Sequence, residues 1–259
     1  AVPHLPGDSV GALRDRATFD LANAIETTCV LLRNEGYTDA NIRCLFPELR
    51  PMLGYALTMR VRTGDPPVEG PAYVDRIDWW PRFMALPQPR VLVVEAVPGG
   101  AASGSVLGEV HATIYRAMGC AGLVTSGGVR DLPALRKLGF PVFAGHVSVS
   151  HGYAHIVEVA EPVTLGGLTV RTGDLLHGDG HGVLSIPPQV AADLPAIVAR
   201  IKKQEQGIIK YCRSAAFTVH GLKNLLAHGK NIKTPSFTTH RHYCTHVQLD
   251  SILPSFAPR

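Results

Sequence analysis

Glu109 is followed, after twenty intervening residues, by Arg130 and Asp131, and three side chains of these types could together bind and activate a small carboxylate. Arginine offers a planar fork of donors that meets a carboxylate through two bonds, which a lysine point charge does less well. Aspartate is a hard oxygen ligand suited to Mg²⁺ or Mn²⁺ held partly through water. A glutamate beside them could orient or deprotonate such a water. The plainer reading makes Arg130 and Asp131 an ion pair and Glu109 a helix-start acid favoured by the dipole. Spacing alone leaves both open.

The elements around these residues decide whether they can meet. Arg90–Val97 (RVLVVEAV) is almost continuously apolar and β-branched, as expected of a strand covered on both faces. A Gly-rich turn over Pro98–Gly104 follows, then a predicted helix, Val106–Met118, whose Val110, Ile114, Ala117 and Met118 share a face. Gly119 ends it and Ala121–Thr125 reads as the next strand, completing a βαβ unit. Gly108, Glu109, Val110 and His111 then occupy the first helical turn, where unpaired N–H groups and the positive end of the dipole suit a small anion. Ser126–Gly128 reads as a turn into Val129, Arg130 and Asp131, followed by a short helix, Leu132–Leu138, closed by Gly139, and a strand at Pro141–Ala144. Strand ends and helix starts of such a sheet line one crevice, so the arginine and the two acids can face each other.

Elsewhere, Leu21, Ile25, Cys29 and Leu32 mark a helix over Thr18–Glu35 that Gly36 stops. Met52–Val61 reads as a strand, Thr63–Pro71 as a loop, and Trp79 with Trp80 as core packing. Short alternating runs from Ala154 to Ile186, split by paired glycines, indicate antiparallel hairpins. Gln189–Tyr211 reads as helix, and periodicity fades after Leu226. The expected organisation is one domain over residues 1–226 and an irregular C-terminal arm over 227–259.

Of the 259 residues 46% are hydrophobic and 18% charged, enough for a large core. The net charge of +4 is spread along the chain, which argues against nucleic acid as a partner. No apolar run of about 18 residues and no leader pattern is seen, so the expectation is a cytoplasmic protein without a membrane partner. The five cysteines, Cys29, Cys44, Cys120, Cys212 and Cys244, are odd in number, widely spaced and without a CxxC pair, which points away from a disulfide framework. His146, His151, His155, His177 and His181 lie close in sequence, but no HExxH occurs and their spacing spreads them over loops and hairpins, so zinc is not favoured.

The segment GEVHATIYRAMGCAGLVTSGGVRDLPALRKLGFPVFA, Gly108–Ala144, resembles the heart of the family shared by 4-hydroxy-4-methyl-2-oxoglutarate aldolases and the regulator of ribonuclease activity A (RraA). That family's signature is an acid, twenty residues, then Arg-Asp. NAIE at Asn23–Glu26, IRCLFPELRPMLGYALT at Ile42–Thr58 and GDLLHGDGHGVLSIP at Gly173–Pro187 extend the likeness to about Ala17–Leu226. Two departures are the small residues Ala101–Val106 before the helix and the chain after Leu226, which matches nothing in the family.

The resemblance implies a layered β/β/α, swivelling-domain-like α/β fold with a mixed sheet, assembled as a homotrimer or homohexamer with sites near subunit boundaries. It implies that Gly108, Glu109, Val110, His111 and Arg130 grip a small 2-oxo acid and that Asp131 holds Mg²⁺ or Mn²⁺. Glu26 is the candidate for a further acid near the start of the chain. The implied chemistry is class II retro-aldol cleavage to pyruvate, with oxaloacetate decarboxylation as a side activity. A Schiff-base aldolase is disfavoured because Lys137 and the later lysines fall on surface helices or the tail. A methyltransferase is disfavoured because PGGAASG does not fit GxGxxG. The alternative from another class is a non-catalytic regulator that binds an RNA-processing enzyme, as members of the family do.

Overall fold

The computed structural model describes residues 5–66, 68, 77–97 and 104–229. The chain opens with α1 (Gly7–Arg14) and α2 (Thr18–Glu26), then β1 (Arg43–Cys44) and the long β2 (Met52–Arg62). Next come α3 (Trp80–Met84), β3 (Arg90–Val97), β4 (Ser105–Leu107), α4 (Glu109–Ala117), β5 (Cys120–Val129), α5 (Leu132–Leu138) and β6 (Val142–Val147). Five short strands follow: β7 (His155–Val159), β8 (Val163–Leu165), β9 (Leu168–Val170), β10 (Leu175–Asp179) and β11 (Gly182–Ile186). The described chain closes with α6 (Leu194–Cys212) and α7 (Val219–Gly229).

The main sheet runs β1-β6-β5-β3-β2-β10-β11, with β4 on β5 and β7 on β2; its centre, β6-β5-β3-β2, is parallel. Helices α3, α4 and α5 cover one face, closing a core that includes Leu57, Leu92, Phe83, Ala112, Leu123 and Leu135. The β8–β9 hairpin covers the other face through Val163, Leu165, Leu168 and Val170. A third cluster packs α1, α2 and α6 on β2, β10 and β11. This is the expected mixed α/β domain in layers.

Several expected boundaries move, each for a local reason. The first long helix ends at Glu26 rather than Glu35, because the Thr27 and Thr28 hydroxyls bond back to the Ala24 and Ile25 carbonyls at 2.8 and 2.6 Å and Cys29 turns to a φ of 58°. The predicted helix at Val106 begins only at Glu109, since Ser105–Leu107 pairs with β5 as a strand. Its buried face is Ala112 with Tyr115 and Met118, while Val110 is 71% exposed, so the expected stripe through Val110 is corrected. Ser126–Gly128 is not a turn: β5 continues to Val129 through a register shift between Thr125 and Gly128, where flanking chains approach the bare glycines. The helix predicted from Gln189 starts at Leu194.

Leu132–Leu138 is helical and Gly139 closes it at a φ of 65°, as expected. Trp79 is buried and meets Phe83 and Tyr115 edge-on. Most of the expected Gly-rich turn over Pro98–Gly104, part of the Thr63–Pro71 loop, and the arm after residue 229 lie outside the described residues. Among the described residues Cys44, Cys120 and Cys212 are free and Cys29 is disulfide-bonded. No helix of the described residues is long and apolar enough to cross a membrane.

Candidate functional site

The group Glu109, Arg130 and Asp131 is assembled by β4. This strand pairs in parallel with the end of β5, Ser105 opposite Gly128 and Leu107 opposite Val129, and the Arg130 N–H donates to the Leu107 carbonyl at 3.0 Å. The first turn of α4 is thereby held against the residues that leave β5. The other end of α4 is anchored by the buried Arg90, whose guanidinium donates to the Met118, Leu86 and Met84 carbonyls at 3.1, 2.9 and 2.8 Å. A cation at two helix C-termini is where the dipoles favour one. α4 is therefore fixed at both ends.

Asp131 is the N-cap of α5 and adopts a left-handed backbone at φ 59°, ψ 36°. Aspartate tolerates that region better than most residues but still carries strain there, of order 1 kcal/mol or more, and such strain concentrates at functional sites. The turn aims its carboxylate back at α4, where Oδ2 accepts the Glu109 N–H at 3.0 Å. Gly108 makes room for it: a Cβ there would lie 2.6 Å from Asp131 Oδ2 and 3.3 Å from Arg130 Nε. Gly108 has an ordinary extended backbone, so the requirement is for space.

Arg130 and Asp131 do not form the tight ion pair of the plainer sequence reading. Their nearest approach is Nε to Oδ2 at 3.9 Å, and both side chains are about two-fifths exposed, at 38% and 42%. Among the described residues the Arg130 guanidinium makes no hydrogen bond, and none is made to Asp131 Oδ1. The fork and one carboxylate oxygen are thus open beside a helix start. The Glu109 side chain is exposed, and its backbone N–H is the group that meets Asp131.

The structure brings Gly108, Glu109, Val110, His111, Arg130 and Asp131 together, with Val110 pointing to solvent and the His111 ring tilted against Tyr115 at 5.9 Å. It does not bring Glu26 to them within one chain. Glu26 ends α2, which packs on β10, β11 and α6, and its nearest cation is Arg33 at 4.0 Å. In the sheet order β10 is separated from β5 by β2 and β3. Among the described residues no three of His, Cys, Asp and Glu gather as a metal cluster, around Asp131 or in the histidine-rich region. Sequence reasoning missed β4 and the space at Gly108, because a three-residue strand carries no periodicity and a glycine before a helix looks like ordinary punctuation.

The RraA-like family model, described as Aldolase/RraA, matches residues 18–185. A protein of Halalkalibacterium halodurans, provisionally named 4-hydroxy-4-methyl-2-oxoglutarate aldolase, is 33% identical over 98 residues, 38% of this chain and 46% of that one. The matched stretches span about half the length of such curated relatives. Among solved structures, an uncharacterized protein of Pseudomonas syringae pv. tomato has a TM-score of 0.65 at 21% identity, covering 86% of this chain and 96% of its own. RraAS2 of Streptomyces coelicolor, described as an unusual member of the RNase ES inhibitor RraA family, has a TM-score of 0.62 at 23% identity, covering 79% and 96%. These two share the fold. With its model matched over well more than half of the sequence, the chain belongs to the RraA-like family.

Proposed function

We propose that this protein is a divalent-metal-dependent lyase that cleaves a 4-hydroxy-2-oxo acid of the 4-hydroxy-4-methyl-2-oxoglutarate type to pyruvate. The observation that carries the reading is the open guanidinium of Arg130 beside the start of α4, with Asp131 turned toward them by a left-handed backbone. Helix-start N–H groups and an arginine fork that makes no hydrogen bond among the described residues select a carboxylate with an adjacent carbonyl.

The donors present suit a hard ion. Asp131 keeps Oδ1 open, and one carboxylate of this kind holds Mg²⁺ or Mn²⁺ with most of its waters. When bound, such an ion supplies Lewis acidity toward the 2-oxo group. Arg130 binds the substrate carboxylate, holds the 2-oxo acid in one orientation, and stabilises the enolate left as the carbon–carbon bond breaks. The same enolate forms when oxaloacetate loses CO₂, so decarboxylation accompanies aldol cleavage. Glu26 is a member of this site only if a second copy contributes it, which fits a homotrimer or homohexamer with sites at subunit boundaries.

The test is pyruvate release from 4-hydroxy-4-methyl-2-oxoglutarate and oxaloacetate, with Mg²⁺ or Mn²⁺ and after chelation. Release that stops on chelation and returns with metal supports the reading. A borohydride-trapped substrate adduct on lysine overturns the mechanism. Metal-replete protein that is inert on a panel of 2-oxo acids returns the chain to the regulator reading of its family.

A further inference from the structure

We infer that His146 is the proton-transferring residue of this site, taking the hydroxyl proton of the substrate and returning it to carbon; the inference rests on the lyase reading above. It starts from the register of two parallel strands. Gly128 of β5 lies opposite His146 of β6 and Val129 opposite Val147, and the Ser148 N–H donates to the Val129 carbonyl at 2.9 Å. Val129 and Leu107 are fully buried under the helices. Side chains alternate along extended chain, so Gly128, Arg130 and Gly108 turn to the opposite side. Two contacts agree: a Cβ on Gly108 would lie 3.6 Å from Arg130 Cγ, and a Cβ on Gly128 would lie 2.9 Å from His146 Nε2 and 2.7 Å from Ser148 Cβ.

The imidazole of His146 therefore lies over the bare Cα of Gly128, two residues before Arg130 on the same side. Only glycine leaves it room. Two strand residues advance the backbone by about 6.6 Å, which separates the root of the Arg130 side chain from the Gly128 Cα beneath the imidazole. The ring is exposed and, among the described residues, makes no hydrogen bond that would commit either nitrogen. His146 was set aside in sequence as one of a scattered histidine run, and the cross-strand register is what gives it a place.

The chemistry needs such a group. In retro-aldol cleavage the neutral imidazole takes the proton of the C4 hydroxyl as the C3–C4 bond breaks, and C4 becomes a carbonyl. The bonding pair passes into the enolate held by Arg130. The imidazolium then gives its proton to C3, which yields pyruvate and restores the neutral ring, so no further reactant is consumed. Oxaloacetate decarboxylation has no hydroxyl proton to remove, and the C3 proton of its enolate can come from water once CO₂ has left, so it makes no such demand on a base.

The difference supplies the test. In H146Q and H146A, cleavage of 4-hydroxy-4-methyl-2-oxoglutarate is expected to fall at least about 100-fold, and at least about tenfold further than oxaloacetate decarboxylation, which loses only the donor to its enolate. Added imidazole is expected to restore part of the cleavage in H146A. Variants that cleave as fast as wild type, or that lose both activities in parallel, overturn the role of His146. A wild type that decarboxylates but does not cleave overturns it as well. A wild type with neither activity is distinct from these outcomes, because it removes the lyase reading itself.

Discussion

Among the described residues two helices have their first N–H capped by an aspartate from a distant element, and the two caps have opposite surroundings. At α2, Asp179 Oδ2 accepts the Thr18 N–H at 2.8 Å; at α4, Asp131 Oδ2 accepts the Glu109 N–H at 3.0 Å. The contact is the same and so is its dipole energetics. Asp179, however, is 14% exposed, and its Oδ1 is taken by both the backbone N–H and the ring of His181, at 2.9 and 3.1 Å. Phe19 meets the His181 ring edge-on, and the buried His177 bonds the Thr18 hydroxyl at 3.0 Å. Asp131 is three times as exposed, keeps one oxygen open, stands in a left-handed backbone and faces an unbonded arginine. An acid on a helix start is therefore a structural device by default. What sets the second cap apart is the set of groups left unsatisfied around it.

Breaking the open cap is expected to change chemistry and leave the fold. Arg130→Lys keeps the charge and loses the fork, so turnover should fall by about 2–4 kcal/mol in transition-state stabilisation, with metal affinity nearly unchanged. Asp131→Asn should instead weaken Mg²⁺ binding, and high Mg²⁺ should recover part of the rate. Calorimetric metal titration of both variants separates the roles. Equal metal affinity in wild type and Asp131→Asn would reduce Asp131 to the helix cap that Asp179 already is.

Gly108→Ala gives the next largest effect. The new Cβ meets Asp131 Oδ2 at 2.6 Å, and at a φ of −140° alanine suffers no backbone strain, so the carboxylate must move. A displacement of this size at a reacting centre costs about 10- to 100-fold in turnover. Thermal stability should change little. A rate within error of wild type would mean that the carboxylate position is not part of the chemistry.

The juxtaposition of the acid, the arginine and the aspartate was legible because a helix start and a strand end of one βαβ unit carry them, even though the stripe of α4 and the length of β5 were misread. Also legible were the strand Arg90–Val97 and the helix Leu132–Leu138, whose glycine stop is chemically unambiguous. The rest depended on tertiary contact. Ser126–Gly128 looked like a turn because glycine lacks strand propensity, and only the close approach of Ala96, His146 and Ser148 explains why glycines continue β5. His146 could not be separated from its neighbours without the register that puts it opposite Gly128. Glu26 was selected by a local four-residue likeness that says nothing about where α2 packs.

Breaking the closed cap should do the reverse. Asp179→Ala removes the acceptor of the Thr18 N–H and both bonds to His181. The expected loss is about 1–2 kcal/mol of stability, or roughly 2–6 °C in thermal midpoint for a chain of this size, with pyruvate release per folded molecule unchanged. Loss of turnover without loss of stability would show that the α2 end also serves the reaction and would erase the contrast between the two caps.

The smallest effect is a slope, and it comes from His177 in the same closed region. Burial holds this imidazole below its ordinary value of 6.5, since the charged ring would lose its hydration, and the bond to the Arg14 carbonyl only partly opposes that. As pH falls through about 6.5 the unfolded chain takes up a proton that the folded chain does not, so stability declines with pH until the folded ring titrates. Asp179 acts in a separate, more acidic window. Burial pushes its carboxyl up, but the Thr18 and His181 N–H groups outweigh this and hold it below 3.8, so its contribution is present above that value and is lost as pH falls through the lower folded one. Thermal midpoints of wild type and His177→Gln between about pH 7.5 and 4.5 isolate the first window. The glutamine variant is expected to be less stable at every pH, because a buried, well-fitted ring is replaced, yet its midpoint should fall less steeply with acid. Asp179 is the titrating group coupled to His177, and it acts in the more acidic window, so a difference in slope near pH 6.5 reports the ring. Parallel curves would mean that the ring admits a proton in the folded state at no cost, and that the α2 end is as open to solvent as the cap at Asp131.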